Sequence, residues 1–242
     1  MMRRILVLVA IAMCSGCVNI QTMALQKGQG ALSTSTKSIA LMTIEVSRAD
    51  DSRYQPFPAI VWVTDLTWGA KEPSLRFQLN KKTAAVESNG RQLYLASLAL
   101  SPGRYHLEGI SGIAAAFPFV GNFFIPVVAD FEVEEDSVSY FGHVAAIMRE
   151  RREGEFRAGA VIPLVDQAAT GMISHSWDVV IDDRSASDLA LFKEHVPALV
   201  SVNVKLEPLP PWDRAAAQQR WDGNAEKDPP DNATDSATTN SP

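Results

Sequence analysis

The chain predicts a mainly β protein: an antiparallel β-sandwich with one short helix near its C-terminal end, flanked by a disordered N-terminal tether and C-terminal tail. Three observations predict it. Apolar and polar residues alternate over Tyr105 to Gly109 and again over Val127 to Glu134, the period of a half-buried strand. About eight short apolar or alternating runs, separated by turn residues, fill positions 38–207, the pattern of a sandwich. Only Ser185 to Val196 carries a convincing helical pattern, with Leu189, Phe192 and Val196 on one face and Pro197 behind it.

The elements follow in order. Ile39 to Val46 is a mostly apolar strand, and Ile60 to Leu66 is a β-branched one. Leu75, Phe77 and Leu79 alternate with Arg76 and Gln78 in a third. Asn89-Gly90, between Val86 and Leu93, is a hairpin turn. Leu93 to Met148 organises the chain: four strands, with tight turns at Ser101-Pro102-Gly103 and Glu135-Asp136 and an apolar excursion in the middle. Arg149, Arg151 and Arg152, interleaved with Glu150, Glu153 and Glu155, read as a solvated turn. Ala158–Val165, Trp177–Ile181 and Val200–Leu206 are the remaining extended runs. Ser185 is expected to cap the helix, with Asp188 as its capping-box partner and Asp183 helping the turn.

Positions 38–207 suffice for one core. Residues 17–37 are rich in Gln, Gly, Ser and Thr and read as a flexible tether. Residues 208–242 turn to Pro, Asp, Asn, Ala and Thr, a composition expected to stay disordered, with at most a helical turn at Ala215–Trp221.

Residues 1–16 have the form of a secretory signal: Arg3-Arg4, then a short apolar core from Ile5 to Met13, then small residues. That core is shorter than the roughly 20 residues that span a bilayer. Ser15-Gly16-Cys17 resembles the lipobox of bacterial lipoproteins, with Cys14 standing where Leu is usual. The resemblance implies lipidation at Cys17, and Val18 behind it implies the outer membrane, facing the periplasm. Cleavage there removes Cys14, and with it any C-x-x-C redox or metal role. It also removes two arginines and no acid, moving the net charge from −6 to −8. An acidic, exported chain does not fit nucleic acid, whose phosphates need clustered Lys and Arg.

Leu98 to Leu107, through Ser101-Pro102-Gly103, with Val138-Ser139-Tyr140-Phe141-Gly142-His143-Val144, resembles transthyretin-like and carboxypeptidase-regulatory-like domains. Such domains occur in a group of bacterial lipoproteins of unknown function. The resemblance covers positions 38–148 and implies a prealbumin-like, Ig-like sandwich. It brings no catalytic residues.

The residues themselves offer little catalysis. No G-x-S-x-G elbow, P-loop, dinucleotide fingerprint or H-E-x-x-H helix is present. His106 and His143 fall on the polar faces of their strands, as surface histidines would. His175, Asp178, Asp182 and Asp183 are the one set that could gather around a metal, but Asp182 and Asp183 point to opposite faces of a strand. No metal, cofactor or catalytic residue is therefore expected. Trp62 and Trp68 could stack on a sugar or fill the core.

Two functions compete. One is a lipid-anchored, non-enzymatic binding or structural module of the cell envelope, held to the membrane through Cys17 and open to an envelope protein partner. The other is an envelope hydrolase or metal-dependent enzyme with a loop-built site. A carbohydrate-binding module, resting on Trp62 and Trp68, is a third.

Gly109 to Ala129 carries no charge. A membrane-spanning helix, a buried plug and an apolar interaction loop all fit that fact; Pro118, Pro126, Gly112 and Gly121 oppose the helix. The expectation is a β-like excursion with its tip at Gly121-Asn122, bearing Phe117, Phe119, Phe123 and Phe124 on its arms.

Overall fold

The computed structural model describes residues 20–50, 54–67, 74–159 and 165–225. Cys17, the signal-like segment, Trp68 and residues 226–242 lie outside the described residues. In chain order the elements are β1 (Ile20–Thr22), β2 (Ser38–Ser47), β3 (Pro56–Asp65), β4 (Ser74–Gln78), α1 (Lys81–Ala84), β5 (Ala85–Ser88), β6 (Arg91–Leu100), β7 (Gly103–Ala116), β8 (Phe119–Val133), β9 (Val138–Glu150), α2 (Val165–Ala169), β10 (His175–Asp182), α3 (Ser185–His195), β11 (Lys205–Leu206) and α4 (Arg214–Ala225).

The strands form two sheets, ordered β1-β4-β3-β7-β8 and β10-β9-β2-β6-β5. Ser101-Pro102 and Glu135-Asp136 do make turns, but as corners between the sheets: β6 and β7 belong to different sheets, and so do β8 and β9. The sheets share one core, in which Phe131 stacks on Tyr105 at 5.6 Å and meets Phe141 edge-on at 4.8 Å between ring centroids. Asn89-Gly90 closes the β5–β6 hairpin with both residues at positive φ, as a two-residue turn of this type demands.

The pairing is mixed rather than purely antiparallel. β2 runs parallel to β9, as does β11, and β1 runs parallel to β4. The chain leaves the second sheet after β6, makes β7 and β8 in the first, and re-enters beside β2 in the same direction.

Sheet two is covered on both sides. Its inner face meets the first sheet. Its outer face packs Leu41, Leu95 and Tyr140 against Phe192, Val196 and Leu199, under α3. That is why β2 is buried along nearly its whole length and reads as an apolar run instead of an alternation.

Both ends of the chain depart from expectation. Residues 20–37 are more than a tether: β1 pairs with β4, and Met23 and Leu25 are buried. Residues 208–225 form no disordered tail. Leu209 and Ala217 are buried, Trp212 and Trp221 pack on the core, and the Trp212 indole donates to the Pro126 carbonyl at 2.8 Å. Counting hydrophobic residues missed this, because two tryptophans and a leucine suffice to dock one helix.

α3 is present as read, but its cap differs. The Asp183 carboxylate accepts from the Ser185 N–H at 2.9 Å, as Asp183's role in the turn anticipated. Ser185 is inside the helix rather than its cap, and Asp188 is buried instead of closing a capping box. α1 and α2 are helices the pattern did not single out, and α4 extends the helical turn read at Ala215–Trp221 to Arg214–Ala225.

Candidate functional site

β7 and β8 pair from Gly103↔Val133 to Ala116↔Phe119, with one bulge between Leu107 and Gly109, making one long hairpin whose tip is Phe117-Pro118. The tip is therefore not at Gly121-Asn122. Gly121 lies inside the ladder, buried against Thr170 and Met172 where a Cβ would collide. Gly112 is pressed in the same way against the Phe57 carbonyl. These glycines admit close neighbours; they do not turn the chain.

The four phenylalanines divide. Phe123 points inward, 2% exposed, with its ring 5.2 Å from Trp177. Phe119 and Phe124 are half-buried, and the Arg220 guanidinium of α4 sits 4.7 Å from the Phe124 ring. Phe117 is fully exposed at the tip. Around it stand Ile113, Val120 and Val165, also exposed. The excursion is thus core along one side and a bare apolar edge along the other.

Behind the hairpin, Ala158 bridges the two sheets: the Phe124 N–H donates to its carbonyl at 3.0 Å and its own N–H donates to His175 at 2.7 Å. The turn after β9 is not merely solvated. Arg149 holds Glu155 through both guanidinium Nη atoms, at 2.7 and 2.6 Å, and reaches Asp178 at 2.9 Å. Arg214 of α4 joins the same carboxylates. The Arg149 hydrogen bonds outweigh burial and hold the Glu155 carboxyl down at about 2.

The other titratable cluster lies under α3. His143 is 1% exposed, so it is a core residue rather than the expected surface one. Its Nδ1 is 2.9 Å from Asp188 and its Nε2 is 3.2 Å from Glu45. Tyr140 donates its hydroxyl to Asp188 at 2.7 Å. Arg91 and Arg184 add charge at Glu45. Burial pushes the Asp188 carboxyl up, but the hydrogen bonds from His143 and Tyr140 prevail and leave it below its ordinary value. Two clues to this network lie in the sequence: Glu45 is an acid inside an apolar strand, and Val138 to Met148 is apolar on both faces.

The residues weighed for a metal do not converge. His175 Nδ1 faces the Gly171 carbonyl at 2.8 Å, Asp178 is held by Arg149 and Arg214, Asp182 by Arg184, and Asp183 caps α3. Among the described residues, no group of three or more His, Cys, Asp or Glu is placed to hold a metal ion. His106 stays on the outer face of the first sheet, 2.6 Å from Asp130. Trp62 shares that face, its indole donating to Ser111 at 2.7 Å and its ring covered by Arg76 at 4.1 Å. One face of the ring is thus covered by a guanidinium.

No protein-family model, curated protein or solved structure matches the chain.

Proposed function

We propose that the chain is a lipid-anchored lipoprotein of the cell envelope, whose domain acts as a non-enzymatic binding or structural module. One observation carries the reading: the first described strand starts at Ile20, three residues after Cys17 in Ser15-Gly16-Cys17. Three residues reach at most roughly 10 Å. A lipid on Cys17 would hold the folded domain directly against the bilayer, with almost no tether between them.

The non-enzymatic part of the proposal is supported by how the charged groups are used. The His143 ring is enclosed between two carboxylates, and Asp178, Asp182 and Asp183 each serve a structural partner. A nucleophile with an adjacent base would instead leave one group facing an open cleft. The two-sheet core and the corner at Ser101-Pro102 are compatible with a prealbumin-like domain, and we extend the proposal to that type. Val18 after Cys17 favours the outer membrane, with the domain facing the periplasm.

The test compares wild type with Cys17→Ser. Intact-mass measurement should find acyl chains on Cys17, and membrane fractions should lose the mutant while its folded domain stays intact. A mutant that remains processed and membrane-bound removes the anchor from Cys17.

A further inference from the structure

We propose that the outer face of the first sheet, on the half leading to the β7–β8 tip, lies against an anionic phospholipid bilayer. The proposal takes its starting point from the anchor reading and adds the face that meets lipid.

Register places the pieces on one side. Ile20 pairs with Arg76, Arg76 with Trp62, and Phe57 with Ile113. Directly paired residues share a face. Ile20, Ile113 and Val120 are exposed there, and Phe117 caps the hairpin beyond them. Cations decorate the same half: Lys81 lies 4.3 Å from the Phe57 ring, and Lys82 beside it is exposed. Glu108 on this face is neutralised by Arg220, and Asp130 and Glu132 sit further towards the other end of the hairpin, paired with His106 and opposite Arg104. Asp166 is an acid near the tip, and its carboxylate is turned to the Val120 N–H at 3.4 Å. In a chain of net charge −6, this separation supplies a local match to anionic headgroups.

Shape selects lipid over protein. A stable protein interface takes roughly 800 Å² from each partner. A two-residue tip with one bare ring and a few aliphatic neighbours is convex and narrow. A bilayer interface accepts such side chains singly, with aromatic rings at the headgroup level.

Reach agrees. Three strand spacings and seven residues along β7 separate Ile20 from Ala116, roughly 14 Å across and 23 Å along the sheet. Ile20 and Ile113 lie on the same face, so one plane touches both when the sheet is tilted onto it. The chain between Ile20 and Cys17 spans at most roughly 10 Å.

The test uses the full chain with Phe117→Trp, a change at a fully exposed position, reconstituted in vesicles of brominated phosphatidylethanolamine and phosphatidylglycerol. Emission beyond that of wild type should fall about twofold or more in the brominated vesicles, as for a ring at the headgroup level. Adding Lys81→Glu and Lys82→Glu should weaken that quenching. Added emission that ignores bromolipid overturns the proposal, whether the ring is open to aqueous iodide or shielded by protein. The intact mass of the same preparation reads the anchor separately. An acylated protein with its tip in water keeps the anchor and loses the face; an unacylated one with its tip quenched loses the anchor and keeps the face.

Discussion

His143 on β9 and Asp188 on α3 meet at 2.9 Å, and the side chain of each is only 2% exposed. The contact fastens the helix to the second sheet through a buried imidazole on one side and a buried carboxylate on the other. Removing Asp188 leaves the His143 Nδ1 and the Tyr140 hydroxyl buried without that partner, which costs about 1–3 kcal/mol for each group left unsatisfied. Asp188→Ala should lower the thermal midpoint sharply and loosen α3 first. Native-state hydrogen exchange would show it: early exchange in α3 with protection kept in β7 and β8 supports the fastening role, and uniform exchange refutes it.

Acid should release the same parts. Asp188 lies below its ordinary value of 3.8, and Glu155 is held at about 2 against an ordinary 4.5. A carboxyl whose value falls on folding adds stability that is complete above its unfolded value. That contribution fades as the pH drops through the folded one. The unfolding midpoint should therefore hold steady down to about pH 5 and decline towards about pH 2. Glu155→Gln should flatten part of that decline. A midpoint unchanged between those limits would show that these carboxylates do not anchor α4 and α3.

Truncation after Glu207 removes Leu209, Trp212 and the whole of α4. Leu209 and Ala217 are buried, and Trp221 packs against Phe156 with centroids 6.4 Å apart. Each large side chain is worth about 1.5–3 kcal/mol on burial, so the loss should exceed about 3 kcal/mol. Chemical denaturation would register it as a lower midpoint. A truncated chain as stable as the full one would mean that α4 contributes no net stability in solution.

The strands were legible because period-two alternation survives in β7 and β8, where one face meets the core and the other meets water. Glu132 and Glu134 point out while Phe131 and Val133 point in. The logic broke down in β9, which is covered on both faces; there polarity no longer reports exposure, and His143 was assigned to the wrong environment. It broke down again at Phe117-Pro118. Glycine marks a turn when only the local backbone is considered, but Gly112 and Gly121 answer to contacts with Phe57 and Thr170 that are remote in sequence. The docking of Trp212 is equally non-local. Composition read the segment around it as disordered and missed that Trp212 and Trp221 pack on the core. The apolar edge at the tip was half visible: the absence of charge over Gly109 to Ala129 was plain, but its division into a buried side and a bare side follows from the register.

That division gives the sharpest test within the hairpin. Phe117 and Phe123 are six residues apart, identical in kind, and opposite in surroundings. Phe123 is pressed on Trp177, while Phe117 touches water. Phe123→Ala should cost about 3–5 kcal/mol, the removed contacts plus the cavity left behind. Phe117→Ala should stay within about 0.5 kcal/mol, as exposed sites do. Urea unfolding of the two variants beside wild type measures both. Equal losses would mean that the tip is folded back onto the domain and that the exposed ring is not free. A silent Phe123→Ala would mean that β8 does not close the core against β10. Only the expected asymmetry leaves the tip available for a surface role at no structural expense, because stability then exerts no demand for an aromatic ring at position 117.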